Sequence, residues 1–154
     1  MIVHLASDHA GFYHKEAVQV WLMDEGYKIV DHGAVSLDNE DDFPDFISKA
    51  ALAVSRKPEK DKAIIFGGSG QGEAIMANRF PQVRAAVFYG GDNSIPALSR
   101  QHNNSNVLSI GARFISVDLT KQVIWEWLHT EPLPLIKYKR RNQKIEEITK
   151  KIQP

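Results

Sequence analysis

The sequence has no cysteine among its 154 residues, which excludes disulfide bonds, thiolate zinc sites, iron–sulfur clusters and cysteine nucleophiles. It also has no excess charge of either sign, because 19 basic residues balance 19 acidic ones. This balance argues against a protein that chiefly holds nucleic acid or an anionic membrane. Apolar runs stay well short of the roughly 18 residues that span a bilayer, and the first residues carry no basic leader. From these absences we predict a cytoplasmic protein.

The composition is that of an ordinary globular protein, with 43% hydrophobic and 25% charged residues. A chain of this length buries about 69% of the surface that it exposes when extended, which is enough for a core of its own. We therefore predict a single domain over residues 1–154.

Short apolar runs rich in β-branched residues alternate with amphipathic stretches of helical length. This alternation is typical of β–α units around a mostly parallel sheet, so we predict an α/β fold. The predicted strands are residues 2–6, 28–31, 63–66, 85–89 and 107–110. The predicted helices are residues 12–25, 46–55, 73–79, 93–102, 117–129 and 138–152. The last helix, within residues 137–152, follows two prolines, and we expect it to dock on a second subunit in a homodimer.

Four of the ten glycines lie between residues 67 and 72, directly between a predicted strand and a predicted helix. Open parallel sheets bind ligands at this position, since free N–H groups of the helix point at it. The segment lacks both the lysine of a P-loop and the third glycine of a dinucleotide fingerprint, because position 73 is Glu. The loop is therefore better suited to a developing oxyanion than to a triphosphate.

Glu73 has two interpretations. It could complement the dipole of the helix that it begins, or it could act as a base. Ser69 and the free amides of the glycine loop favour the base, because together with a carboxylate they suit removal of a proton beside a carbonyl.

Two other polar pairs follow predicted elements. Asp8 could simply cap the next helix, while His9 could bind a phosphate or move a proton near neutral pH. His102 and Asn103 close a helix, either as an ordinary C-terminus or as part of a site. The six histidines show no metal-binding spacing, so we predict no metal site.

Arg140 and Lys144 lie one helical turn apart in the basic last segment. The pair could be a solvated face, a grip on a single phosphate or a short nucleic-acid arm. One basic stretch on a neutral protein is weak evidence for nucleic-acid binding, and we expect none.

Four segments in order resemble the ribose-5-phosphate isomerase B family, which includes the galactose-6-phosphate isomerase subunits. They are SDHAG at 7–11, GSGQGE at 68–73 with ANR at 77–79, SRQHNN at 99–104, and IGAR at 110–113. The resemblance is collinear from residue 1 to about residue 150. It implies a three-layer α/β/α, Rossmann-like domain with a five-stranded parallel sheet and a C-terminal helix. It also implies a homodimer, or a tetramer built from it, in which each site takes residues from both chains.

The resemblance further implies interconversion of an aldose phosphate and a ketose phosphate through a cis-enediolate, with no metal or organic cofactor. In that scheme Asp8 and His9 lie at the sugar ring and the phosphate, and Ser69 assists proton movement on the hydroxyls. The oxyanion site is formed by Gly68, Gly70 and Gly72.

The remaining roles implied by the resemblance fall in the second half of the chain. His102 helps to open the furanose ring, and Asn103 binds a substrate hydroxyl. Arg113 and Arg140 hold the phosphate.

Two positions depart from the usual pattern of the family. Many members have a cysteine base just before the glycine motif, where this chain has Gly67. Another branch instead has Gly-Gly-Ser-Gly-x-Gly-Glu with the glutamate as base, and this chain carries that variant, so Glu73 is the predicted base. The C-terminal Arg-His-x-x-Arg pattern reads Arg140, Arg141 and Lys144 here, and lysine keeps the charge of arginine but loses its bidentate hydrogen bonding.

We therefore predict an isomerase of ribose 5-phosphate and ribulose 5-phosphate, in which Glu73 moves a proton from C2 to C1. One alternative is an isomerase of a hexose 6-phosphate, such as allose or galactose 6-phosphate. Another is a homologue that binds a sugar phosphate without turning it over.

Overall fold

The computed structural model describes residues 1–152, so the last two residues of the predicted domain lie outside them. Five parallel strands form one sheet in the order β2-β1-β3-β5-β4. The strands are β1 Ile2–Ser7, β2 Lys28–Asp31, β3 Lys62–Gly67, β4 Ala85–Phe88 and β5 Val107–Gly111. The helices are α1 Phe12–Asp24, α2 Phe43–Arg56, α3 Gln71–Ala77, α4 Ile95–Asn103, α5 Val117–His129 and α6 Ile136–Ile152. The predicted α/β fold is confirmed, and each strand lies within one residue of its predicted bounds.

The helix starts differ more from the predictions than the strands do. Helix α2 begins at Phe43 instead of residue 46, because Pro44 lies in its first turn, where a missing N–H costs nothing. Helix α3 begins at residue 71 instead of 73, directly after Gly70, whose φ of 76° ends the preceding loop. Helix α4 begins at residue 95 instead of 93, since the Asp92 side chain accepts a hydrogen bond from the Ser94 amide and holds these residues in a turn.

The sheet separates two apolar cores because successive side chains of a strand point to opposite faces. From β3, Ile64 and Phe66 pack with α1 and α5 on one face, around the fully buried Trp127. Ala63 and Ile65 pack with α2 and α3 on the other face. This gives the three layers implied by the resemblance, and truncating a residue such as Phe66 to Ala would cost about 3–5 kcal/mol.

Strands β1 and β3 are neighbours in the sheet, but the chain leaves them in opposite directions. After β1 it enters α1 on one face, whereas after β3 it enters α3 on the other. A crevice opens where neighbouring parallel strands diverge in this way, and it is the usual ligand site of such sheets. The fold therefore places a cleft beside the glycine loop.

Helix α6 has no buried residue, in contrast to the other five helices. It lies against α4 and leaves four isoleucines exposed, Ile136, Ile145, Ile148 and Ile152. Within residues 1–152, no helix combines the length and the apolar character needed to cross a membrane. The predicted C-terminal helix is present, while its place in a dimer interface stays a prediction.

Candidate active site

A cleft of about 450 Å³ opens at the carboxyl ends of β1 and β3. Its lining comes from both of the loops that diverge there, from the start of α2 and from the segment after β5. The lining residues are Asp8, His9, Ala10, Phe43, Gly68, Ser69, Gly72, Glu73, Arg113 and Phe114. Seven of these were predicted from the sequence as site residues, so the topology brings most of the predicted cluster together.

Asp8 performs the capping role that its position suggests and also lines the cleft. One of its carboxylate oxygens, Oδ1, accepts hydrogen bonds from the amides of Ala10 and Gly11, at 2.9 and 3.2 Å. These bonds hold a single 3₁₀ turn, His9–Gly11, between β1 and α1. Gly11 is required there, because a Cβ would lie about 2.5 Å from that of Phe66. The turn therefore keeps Asp8 and the next residue at the cleft.

His9 has a partner that the sequence did not reveal. Its Nδ1 lies 2.7 Å from Oδ1 of Asp41, and its backbone amide donates to the same oxygen at 3.1 Å. The hydrogen bond to Asp41 is the main cause that raises the pKa of His9 above its ordinary value; the charge of Asp8 adds to it and that of Arg113 opposes it. His9 is thereby favoured in its cationic form.

The glycine loop is tied to β5 by backbone and side-chain hydrogen bonds. The carbonyl oxygens of Gly67 and Gly68 accept from the amides of Ala112 and Arg113, at 2.9 and 3.1 Å. The carbonyl oxygen of Gly70 accepts from the hydroxyl of Ser109. With its carbonyls engaged towards β5, the loop is fixed before any ligand binds, as oxyanion stabilisation requires.

Glu73 lies in the first turn of α3 and is only 4% exposed. Its carboxylate occupies the space that a side chain on Gly67 would need, since a Cβ at that position would overlap the carboxylate atoms. Burial raises the pKa of Glu73, the nearby charge of Asp8 adds to the effect, and a hydrogen bond from its own backbone amide opposes it. A buried carboxylate with a raised pKa is a stronger base than an exposed one, and it is suited to general-base chemistry.

Arg113 brings positive charge to the same cleft. Its guanidinium lies over Gly68, where an added Cβ would approach Cζ to 3.3 Å. Together with the His9 imidazole it forms a cationic rim on a cleft whose buried wall carries Glu73. An anionic group on the ligand is therefore favoured at the rim.

Five of the predicted site residues are not among those that line this cleft. One is Gly70, which lies within the glycine loop, and the other four lie farther away. His102 and Asn103 end α4, and Arg140 and Lys144 are exposed on α6. The His102 ring stacks on Tyr138 with centroids 4.5 Å apart. In the described single chain, these four residues thus belong to a different surface from Glu73.

Asn103 lines a second cavity of about 400 Å³, between β4, α4 and α6. The residue that caps the end of α4, Asn104, has the left-handed conformation of an ordinary helix terminus, with φ of 47°. The cavity is polar near Arg84, whose guanidinium donates to Glu146 at 3.1 Å. The local structure of this surface is therefore accounted for by helix packing and capping.

Sequence reasoning missed Phe43 and Phe114, which line the cleft, and Asp41, which bonds His9. The two aromatic residues carry no chemical signal in the sequence. Asp41 lies among several acidic neighbours, and nothing in the sequence separates it from them. Asp8, His9 and Asp41 each place a possible ligand atom within 4.8 Å of the others. Oδ1 of each of the two carboxylates already accepts hydrogen bonds.

The fold and the cleft define an α/β protein whose cleft, at the carboxyl ends of parallel strands, is suited to an anionic ligand beside a buried carboxylate. The family described as Ribose/Galactose Isomerase matches residues 3–148, and the chain belongs to that family. Ribose-5-phosphate isomerase B of Escherichia coli is 35% identical over 142 residues, covering 92% of this chain and 90% of that protein. The enzyme of the same name from Mycolicibacterium paratuberculosis is 39% identical over 117 residues, covering 76% and 72%.

Solved structures with the same fold bear the same name. Ribose-5-phosphate isomerase B of Mycoplasma genitalium, with bound ribulose-5-phosphate, has a TM-score of 0.91 at 31% identity, covering 97% of this chain and 96% of that one. The Clostridium thermocellum protein has a TM-score of 0.91 at 33% identity, covering 99% and 100%. The predicted family and fold are therefore confirmed.

Proposed function

We propose that this chain interconverts ribose 5-phosphate and ribulose 5-phosphate through a cis-enediolate. The observation that carries the proposal is the buried carboxylate of Glu73, held beside the glycine loop at the floor of a cleft with a cationic rim. The relatives named ribose-5-phosphate isomerase B support the substrate class, and the Mycoplasma genitalium relative binds ribulose-5-phosphate.

In the proposed reaction Glu73 is the general base. With the sugar in its open-chain form, its carboxylate takes the proton from C2 of ribose 5-phosphate, and the electron pair of the C–H bond forms the C1–C2 double bond. The carbonyl oxygen on C1 becomes the enediolate oxygen, which amides of the glycine loop and the hydroxyl of Ser69 stabilise. Glu73 then returns the proton to C1, and the hydroxyl proton on O2 moves to O1, so that C2 becomes the ketone carbon.

The raised pKa of Glu73 suits this role, because a base works best when its pKa approaches the operating pH. Glycine at position 67 is needed for the same role, since any larger residue there would displace the carboxylate of Glu73. His9 and Arg113 would hold the phosphate at the rim, and Asp8 would contact the sugar. No step of this scheme requires a metal or an organic cofactor.

We further propose that a second copy of the chain completes the site. His102 would open the sugar ring, Asn103 would bind a hydroxyl, and Arg140 and Lys144 would contact the phosphate from the partner chain. The position of these residues outside the cleft supports an arrangement across two chains. The exposed isoleucines of α6 and the exposed Phe114 at the rim provide apolar surface for such an association.

A direct assay tests the proposal and its alternatives. Ribose 5-phosphate, allose 6-phosphate and galactose 6-phosphate are incubated separately with the protein, and ketose formation is measured. We expect the highest kcat/KM with ribose 5-phosphate. A preference for a hexose phosphate would move the assignment to the longer sugar, while a ligand-dependent rise in Tm without any ketose would identify a binding protein.

A further inference from the structure

Asp41 differs from the other acidic residues of the loop before α2. Asp38, Glu40 and Asp42 are exposed, whereas the side chain of Asp41 is only 8% exposed and contacts His9. Its Oδ1 accepts two hydrogen bonds from one residue, from the backbone amide and from Nδ1 of His9. One carboxylate therefore fixes both the backbone and the ring of His9.

The ring hydrogen bond determines which nitrogen carries a proton: Nδ1 is protonated in either charge state, and Nε2 carries a proton as well only in the imidazolium form. A carboxylate only accepts hydrogen bonds, so Nδ1 of His9 must be the donor in the 2.7 Å contact. Nε2 lies on the opposite side of the ring and is left for a ligand, because the ring lines the cleft. A second carboxylate oxygen, Oδ2 of Asp41, is buried without a hydrogen-bond partner within residues 1–152. The charge of Asp41 is therefore satisfied mainly by His9.

The charged groups around His9 act in opposite directions. The carboxylates of Asp41 and Asp8 favour the imidazolium form, and the guanidinium of Arg113 disfavours it. Glu73 lines the same cleft from α3. Without Asp41, the imidazolium form of His9, which lies near Arg113, would lose its main stabilising interaction.

We propose that Asp41 is a positioning residue for the substrate phosphate: it holds Nδ1 of His9 and thereby presents Nε2–H to the phosphate group. The inference rests on the proposed function for the identity of the ligand. It assigns Asp41 no contact with the substrate and no part in the transfer of the C2 proton. Loss of Asp41 should therefore weaken binding and leave the chemical step largely intact.

The test uses Asp41→Asn, which keeps the shape of the side chain and removes its charge. Histidine proton NMR titrations are recorded for both proteins, and the His9 signal is assigned by its absence in His9→Gln. We expect the pKa of His9 to fall in Asp41→Asn. Above its pKa, the imidazolium fraction of His9 falls about tenfold for each unit by which the NMR titration shows the pKa to drop. KM at pH 8 should therefore rise in the same proportion, with kcat within about twofold.

Glu40→Gln is the matched control, since it removes the same charge from an exposed position in the same loop. It should change neither the titration of His9 nor KM. In the double variant with His9→Gln, Asp41→Asn should add no further loss of binding, because the two residues act as one unit.

Binding of inorganic phosphate, followed by calorimetry, separates this inference from the proposed function. If the wild-type protein makes no ketose, the proposed function fails, while the titration and phosphate binding still decide the role of Asp41. An unchanged His9 titration in Asp41→Asn would overturn the inference even in an active enzyme. So would a lower kcat with unchanged KM and unchanged phosphate affinity.

Discussion

The sequence singles out two groups of polar residues, one at strand ends and one on helices, and the structure places them on different surfaces. Asp8, His9, Ser69 and Glu73 follow strands β1 and β3 and meet in one cleft. Within residues 1–152, His102 and Arg140 lie on α4 and α6 and are not among the residues that line the cleft of Glu73. Hydrogen bonding between parallel strands fixes where strand ends lie within one chain, whereas residues on exposed helix surfaces can meet a cleft through association with another chain. In the proposed reaction the strand-end group, Asp8, His9, Ser69 and Glu73, supplies the base, and in the proposed dimer the helix group, His102 and Arg140, comes from the partner chain.

Among the substitutions that test these two groups, Glu73→Gln should have the largest effect on activity. The substitution removes the base and keeps the side-chain volume, so kcat should fall about 10²- to 10⁴-fold with a similar KM for ribose 5-phosphate. Glu126→Gln, an exposed change on α5, serves as the control and should leave kcat unchanged. Full activity of Glu73→Gln would remove the base assignment.

The pH profile of the wild-type enzyme tests the same assignment. Because burial raises the pKa of Glu73, kcat should fall on acidification at a higher pH than an exposed glutamate would give. An acid limb in the ordinary range of an exposed glutamate would contradict the burial argument.

Gly67→Ala should disturb the strand-end group without removing any functional atom. The new Cβ would overlap the carboxylate of Glu73 and force it to move. A displacement of about 1 Å at a reacting group costs about 10²-fold in rate, so kcat should fall by that order. In a Glu73→Gln background the same change should cost almost nothing further, and a full additional loss would mean that Gly67 acts elsewhere.

Complementation between two inactive variants tests whether the helix group acts on the partner chain. Glu73→Gln and His102→Ala are purified separately, unfolded, mixed and refolded. Random pairing of the two variants makes half of the dimers mixed. If each site takes Glu73 from one chain and His102 from the other, every mixed dimer has one intact site and one inactive site. About a quarter of the wild-type activity should then return. Activity no higher than that of the two parents would contradict the shared site.

Arg140→Ala should have a smaller effect, seen mainly in KM. Loss of one charge-assisted hydrogen bond to phosphate costs about 1.5 kcal/mol or more, which corresponds to a rise in KM of about tenfold. Lys150→Ala, an exposed change farther along α6, is the matched control. An unchanged KM in Arg140→Ala would mean that Arg140 does not contact the phosphate.

Most of the fold and seven of the ten residues that line the cleft could be predicted from the sequence, Arg113 only through the family resemblance. The apolar runs predict all five strands, and the position of Glu73 directly after the glycine loop predicts its place at the edge of the sheet. Asp41 could not be predicted, because its pairing with His9 spans 32 positions and depends on how the loop before α2 folds back. Local sequence patterns also do not predict that His102 lies outside the cleft, since its position depends on where α4 and α6 pack.

The smallest expected effect concerns stability, and it bears again on Glu73. Its pKa is raised in the folded protein, so its buried charge destabilises the fold, and this penalty appears as pH rises from the unfolded pKa through the folded one. Gln carries no charge, so Glu73→Gln should raise Tm at pH 8, by about 2–4 °C for each 1 kcal/mol relieved, and the difference should shrink in acid. Glu126→Gln should show no such trend. A lower Tm of Glu73→Gln at pH 8 would mean that the ionised carboxylate stabilises the cleft, and that activity and stability do not oppose each other at this residue.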